Sequence, residues 1–297
     1  MRRRLIGWLS VPITAVLCAG GLLVGCTVTG TVYAQHEERQ TVPVGPAPIV
    51  VVDTFNGRIT VTAGGESDID VRVTSRGSGS NQKDAEQDLA KIGVTITSTT
   101  DRVTITARRT DQPISLGDSG ADVEIVVPPE SSLQLRTSNG RIEAANTVGA
   151  ILARASNGAI TTRGGRDLDL DTSNGPVSVN LAKGKVRVRT SNGTLDINAA
   201  QDTQVAAETS NASLTFSGSL APGSNTFATS NASLTLTLPG SAAFTIDGAT
   251  NNGRVQTDFP RLQVSDTAIR GTAGVSSVTN ISATTSNGDM AVMQQRP

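Results

Sequence analysis

Three observations in the 297-residue sequence predict an all-β fold, a parallel β-solenoid (β-helix) with coils of 17 to 21 residues and one short helix near its N-terminal end. The first is a Ser-Asn-Gly tripeptide, or a close relative of it, whose asparagines are Asn139, Asn157, Asn174, Asn192, Asn211, Asn231, Asn252 and Asn287. They are 18, 17, 18, 19, 20, 21 and 35 residues apart, the signature of one unit stacked on copies of itself, with the last gap read as two units. The second is that residue type repeats at fixed offsets from this corner. Three residues after it stand Ile142, Ile160, Val177, Leu195, Leu214, Leu234, Val255 and Met290; six before it stand Leu133, Ile151, Leu168, Val186, Val205, Asn225, Ile246 and Ile281. Threonine occupies the position two before it in every copy except Ala155. The third is composition: 37% of residues are hydrophobic but only 2% aromatic, too few bulky groups for a conventional core. Abundant Val, Ile, Leu, Thr, Ser, Asn and Gly suit short strands and closely stacked corners.

The chain opens with Met1-Arg2-Arg3-Arg4, an apolar run from Leu5 to Leu23, and then Leu23-Val24-Gly25-Cys26. A basic segment, an apolar segment and small residues before a cut site read as a secretory signal over residues 1–25. Its ending resembles a bacterial lipobox, which makes Cys26 the lipidated first residue of the mature protein. Cys18 lies in the part removed, so the mature chain would carry no free thiol and no disulfide. Residues 26–48, polar and interrupted by Pro43, Pro46 and Pro48, read as a flexible tether holding the solitary His36.

Strand signals begin at Ile49. Residues 49–130 read as degenerate coils, with Asn56-Gly57 as a first copy of the corner and alternating stretches at Ile69 to Val73, Val94 to Thr97, Val103 to Thr106 and Val123 to Val127. Between them, residues 82–92 place Ala85, Leu89 and Ile92 at helical spacing, with Asn81 as N-cap and Gly93 as the stop. Residues 131–297 read as the regular array, the whole of 49–297 forming one continuous domain.

Recurrence at one offset decides between two topologies. In parallel, in-register coils about 4.8 Å apart each side chain sits on its counterpart one period away, so like positions hold like residues. An antiparallel meander, which Asn-Gly turns also suggest, would set residues before a turn against residues after it and would favour no such columns. Asn suits the corner because it tolerates the left-handed conformation and its amide can bond the next Asn in a ladder, with Gly relieving adjacent strain.

The outward offsets carry charge. Asp167, Asp169 and Asp171 lie 18 residues from Lys185, Arg187 and Arg189, so opposite charges fall on neighbouring coils and set register. Those three aspartates are also the one weak metal candidate, a carboxylate face for calcium, although the nonapeptide of calcium-binding solenoids is missing. A polysaccharide lyase or hydrolase would need a groove with paired carboxylates or aromatic platforms, and the repeats hold no Trp, Tyr or His. Neither a Ser-His-Asp nor a Cys-His arrangement can be assembled in the repeats, so no catalytic residue and no cofactor is assigned. A net charge of −1 gives no footprint for nucleic acid. Asn192, Asn211, Asn231 and Asn280 match the glycosylation acceptor pattern, but three are corners and all read as structural.

With its Thr-Ser-Asn-Gly corners at Thr137 to Gly140, Thr172 to Gly175, Thr190 to Gly193 and Thr285 to Gly288, and its early helix near Ala85 to Ile92, the chain resembles a bacterial family of surface-directed, adhesin-like β-strand-repeat domains of unknown function. The resemblance covers Val50 to Val292 and implies a parallel β-solenoid at the cell envelope, without implying an enzymatic activity or a ligand. The expectation is a non-enzymatic binding scaffold, anchored to a bacterial membrane through Cys26, with an envelope protein or a glycan as partner. Two alternatives stand beside it: a polysaccharide-active enzyme, and an assembly partner that docks proteins by strand addition at the first coil near Val50 or after Val292.

Overall fold

The computed structural model describes residues 30–64, 67–111, 118–275 and 278–296, and the side chain of Gln201 also falls outside that description. The signal segment 1–25 and Cys26 therefore lie outside the described residues. Residues 31–297 group as one compact unit.

The N-terminal part contains β1 (Val32–Pro43), β2 (Ile49–Thr54), β3 (Ile59–Ala63), β4 (Asp68–Gly79), α1 (Gln82–Leu89), β5 (Ile92–Ser98), β6 (Arg102–Arg109) and β7 (Gly120–Val127). The array follows with β8 (Ser132–Thr137), β9 (Ile142–Thr147), β10 (Ile151–Ala155), β11 (Ile160–Gly164), β12 (Arg166–Thr172), β13 (Val177–Arg189), β14 (Leu195–Glu208), β15 (Leu214–Ser217), β16 (Gly223–Ala228), β17 (Leu234–Pro239), β18 (Phe244–Thr250) and β19 (Val255–Thr257). The chain closes with β20 (Gln263–Val264), β21 (Ala268–Ala273), β22 (Thr279–Thr285) and β23 (Met290–Gln295).

Each coil contributes one strand to each of two ladders, and neighbouring coils run parallel and in register: Ile151 lies beside Leu133 and Leu168, and Ile160 beside Ile142 and Val177. One ladder passes in spatial order through β1, β4, β7, β3, β9, β11, β13, β14, β15, β17, β23 and β19; the other through β5, β6, β2, β8, β10, β12, β13, β14, β16, β22, β18, β21 and β20. β13 and β14 each continue round a corner and serve both. The apolar columns seen in the sequence point inward and are buried, from Ile59 and Ile142 through Leu195 to Met290. Phe216 and Phe227 touch across the widened coils, ring centres 5.3 Å apart. Stacked alternation of this kind is the β-solenoid expected from the repeat.

The coils do not stack in chain order at either end. The first coil, β2 and β3, sits between β6–β7 and β8–β9. The last coil, β22 and β23, sits between β16–β17 and β18–β19. Among its described residues the 35-residue gap before Asn287 consequently contains no second coil; it holds β20 and β21, which pair antiparallel and fold over β18. At the other end β4 and β5 lie antiparallel on β7 and β6, so these alternating stretches are covers and not coils.

Two boundaries also differ from the sequence reading. Within the expected tether 26–48, residues Val32 to Pro43 are strand β1, paired with β4 along its whole length. Only Ala34 and Val42 are buried there, and the backbone hydrogen bonds that hold the strand leave no trace in a polar composition. The helix ends at Leu89, earlier than residue 92, because Ile92 already belongs to β5. Asn81 caps it, its Oδ1 accepting from Asp84 N at 3.0 Å. Gly77 and Gly79 let α1 lie directly on β4: a Cβ at Gly77 would come within 2.3 Å of Leu89 N.

Candidate functional site

The corner asparagines form one continuous amide ladder. Each Nδ2 donates to the Oδ1 of the next Asn in space, in the order Asn252, Asn287, Asn231, Asn211, Asn192, Asn174, Asn157, Asn139 and Asn56, and Asn56 Nδ2 donates to Ser119 O at 3.2 Å. The distances from Asn252 through Asn139 run from 2.6 to 2.8 Å. All the amides point the same way, so each bond polarises the next.

Two further columns explain the rest of the tripeptide. Buried threonine hydroxyls donate to the carbonyl of the neighbouring coil's corner: Thr172 to Gly158, Thr190 to Gly175 and Thr209 to Gly193, at 3.0 to 3.2 Å. Glycine is needed because those carbonyls leave no room. A Cβ at Gly158 would lie 1.7 Å from Gly140 O, and one at Gly193 1.8 Å from Gly175 O. No corner Asn or Gly of the tripeptide has positive φ, so the left-handed conformation expected there is absent. It occurs seven residues later instead, at Asn146 (φ 62), Gly164 (φ 85), Leu181 (φ 58) and Gly218 (φ 133). That second corner carries the register shifts and was missed because its residue types do not repeat.

Asp167, Asp169 and Asp171 alternate outward along β12, with Leu168 and Leu170 inward. Asp169 and Asp171 stand opposite Arg187 and Arg189 in register, as the spacing predicts. Their observed partners differ: Asp169 pairs with Arg154 at 2.9 Å, Arg189 with Glu208 at 3.2 Å, and Asp167 Oδ1 accepts from Lys185 N at 3.0 Å. Among the described residues no group of three or more His, Cys, Asp or Glu is placed to hold a metal ion. Asn225, the one polar member of its column, is fully buried; its Oδ1 accepts from Val205 N at 2.9 Å and its Nδ2 donates to Ala221 O at 3.1 Å. The side chain takes the place of ladder bonds lost where the coil lengthens.

A polar groove of about 560 Å³ lies at the N-terminal end of the corner column. Its floor is two stacked corners, Asn56-Gly57-Arg58 and Asn139-Gly140-Arg141; its wall is Tyr33 and Arg76 from the β1–β4 pair, with Asp118 and Asp122. Ile59 N donates to Arg141 O at 2.9 Å and Val123 N to Arg58 O at 2.8 Å, which sets Arg58 between Arg141 and Asp122. Both carboxylates are engaged. Asp118 accepts from Tyr33 Oη at 2.8 Å, and Asp122 accepts from Arg58 N at 2.8 Å and lies 3.9 Å from Arg76. The hydrogen bond to Asp118 pushes the Tyr33 phenol above its ordinary pKa. Arg76 lies over the Tyr33 ring, 6.0 Å from its centre, and Arg141 pairs with Glu143 at 3.1 Å. The Arg58 guanidinium is exposed and has no partner among the described residues. Sequence reading missed this groove because its arginines, 58, 76 and 141, come from separate parts of the chain.

A second polar cluster locks the N-terminal cover. Arg109 donates to Asp88 at 2.8 Å and to Asp111 at 3.0 Å, and Lys91 pairs with Asp111 at 3.1 Å. The Arg109 hydrogen bond holds Asp111 well below the usual carboxylate range. Partial burial opposes ionisation of Asp88, but hydrogen bonds from Arg109, Ser119 Oγ and Ser78 N outweigh it and lower its pKa.

Residues 49–293 match the family model described as Toastrack DUF4097. The chain belongs to this family, a domain of unknown function. No curated protein matches it. Similar solved structures include one described as a "putative cell adhesion protein" from Clostridium sporogenes ATCC 15579, at 10% identity and TM-score 0.29, covering 88% of this chain and 100% of that one. Another, described as a "putative adhesin" from Bacteroides fragilis NCTC 9343, is 10% identical with TM-score 0.43 and covers 86% of this chain and 97% of that one.

Proposed function

We propose that this Toastrack domain is a non-enzymatic binding scaffold of a bacterial cell envelope, exported by residues 1–25 and tethered through lipid on Cys26. The observation that supports it is the unbroken amide ladder from Asn252 to Asn56, which holds the polar end groove on a stack whose register is fixed coil by coil. Pre-organisation of this kind lowers the ordering cost of binding a partner. Fractionation of intact cells tests the anchor: the wild-type chain stays with membranes and leaves them in detergent, whereas Cys26→Ser is released. Retention of the variant in the membrane fraction would remove the lipid tether from the proposal.

Strand addition remains as a second reading, at a different place from the one the sequence suggests. β2 lies between β6 and β8, and β23 between β17 and β19, so the strands at Val50 and Val292 have both edges filled. Among the described residues, the open edges are β1, β5, β19 and β20. β1 carries Glu37, Glu38 and Arg39, charges that discourage pairing, and β19 and β20 are three and two residues long. β5 is seven residues without a charge. A photo-crosslinker at Thr95 that captures an extended segment of one envelope protein would favour this reading over the groove.

A further inference from the structure

The groove has a chemistry that points to one class of ligand. Parallel, in-register stacking sets Arg58 directly beside Arg141, and like charges at facing positions repel. Arg141 is relieved by Glu143, but nothing described neutralises the Arg58 guanidinium. The neighbouring acids are already committed, Asp122 to Arg58 N and Asp118 to the Tyr33 hydroxyl. A planar fork with free N–H donors in a groove matches a carboxylate or phosphate bidentately.

The same groove disfavours a dense polyanion. Asp118 and Asp122 would repel closely spaced phosphates, and the chain as a whole has net charge −1, so no long-range field gathers nucleic acid. The remaining lone pairs of Asp118 and Asp122 and the exposed edge of the Asn139 amide are instead suited to hydroxyl groups. The ligand therefore combines many hydroxyls with a sparse negative charge.

We infer that the groove binds an acidic glycan, its carboxylate or phosphate held by the Arg58 guanidinium and its hydroxyls by the Asn139 amide of the floor and the Asp118 and Asp122 carboxylates of the wall. This rests on the binding-scaffold reading and names its ligand. The full chain, purified in detergent, is titrated calorimetrically with trigalacturonate, with a mannose oligosaccharide carrying one phosphate, and with neutral mannotriose. At least one acidic probe binds, which of the two identifies the anion, and mannotriose does not. Arg58→Gln weakens that binding about tenfold, the loss of one charge-assisted contact, and Arg58→Lys falls between it and wild type. Arg163→Gln, on the outer face of β11, leaves affinity unchanged, and all three variants melt with the wild type. Equal binding of the neutral probe, no effect of Arg58→Gln, or no binding of either acidic probe would overturn the inference. The fractionation of Cys26→Ser is read independently, so the lipid tether stands or falls on a separate result.

Discussion

The Ser-Asn-Gly corner and the corner seven residues later turn the same chain by opposite means. At the first, every backbone residue keeps negative φ, and amide, hydroxyl and carbonyl columns bind each coil to the next. At the second, φ is positive at Asn146, Gly164, Leu181 and Gly218, bulges interrupt the pairing, and coil length varies. The columns six before and three after each Asn stay fixed while the period changes from 17 to 21, so all the variation is absorbed at the second corner. A solenoid needs only one tightly specified hinge per coil; the other is free to take insertions.

The sharpest way to break that division is at Asn225, where the lengthened second corner is repaired by a side chain. Asn225→Leu leaves the buried Val205 N and the half-buried Ala221 O without this side-chain partner and is expected to cost about 3 kcal/mol in chemical denaturation. Next comes the tight corner itself. Gly175→Ala forces a Cβ to 2.0 Å from Gly158 O and should cost about 2 kcal/mol, whereas Ala212→Gly, at the equivalent place in a longer coil, should stay within about 0.5 kcal/mol. Equal effects at the two positions would contradict the steric account of the glycine column.

Asn192→Ala removes one donated and one accepted amide bond from an exposed ladder, for an expected loss of about 1 kcal/mol because water replaces the partners. At the loose corner the sign reverses. Leu181 is 42% exposed at φ 58, so Leu181→Gly relieves backbone strain at little packing cost and should raise stability by about 0.5 kcal/mol.

Acid separates the corners from the N-terminal cover. The corner columns contain no titratable group, while the cover depends on Asp88 and Asp111, both with lowered pKa. A carboxylate depressed in the folded state contributes fully above its unfolded pKa of about 4 and loses that contribution as pH falls towards the folded value. Hydrogen exchange below that pH should show α1 and β5 losing protection while the corner amides of Asn174 and Asn192 keep theirs.

Much of this was legible in residues alone. Period, offset columns and the threonine run predict parallel coils, because only side chains stacked on their own counterparts gain from repeating. The helix cap at Asn81 and the buried columns were equally readable. The groove was not. Its guanidinium groups belong to Arg58, Arg76 and Arg141, brought together by a coil placed out of order and by a strand, β1, whose polar sequence resembles a linker.

What the sequence by itself determined is the local rule: strand, corner, strand, with a hydrogen-bonding column that accepts any coil carrying the same residues. That rule makes coils interchangeable. Only the tertiary structure decided which coil follows which, threading the first and last coils inside the stack and covering its ends with β4, β5 and β21. The physical reason is that a repeated surface gives every neighbour nearly the same binding energy, so order is settled by contacts between segments far apart in the chain, at the ends where open strand edges have to be closed.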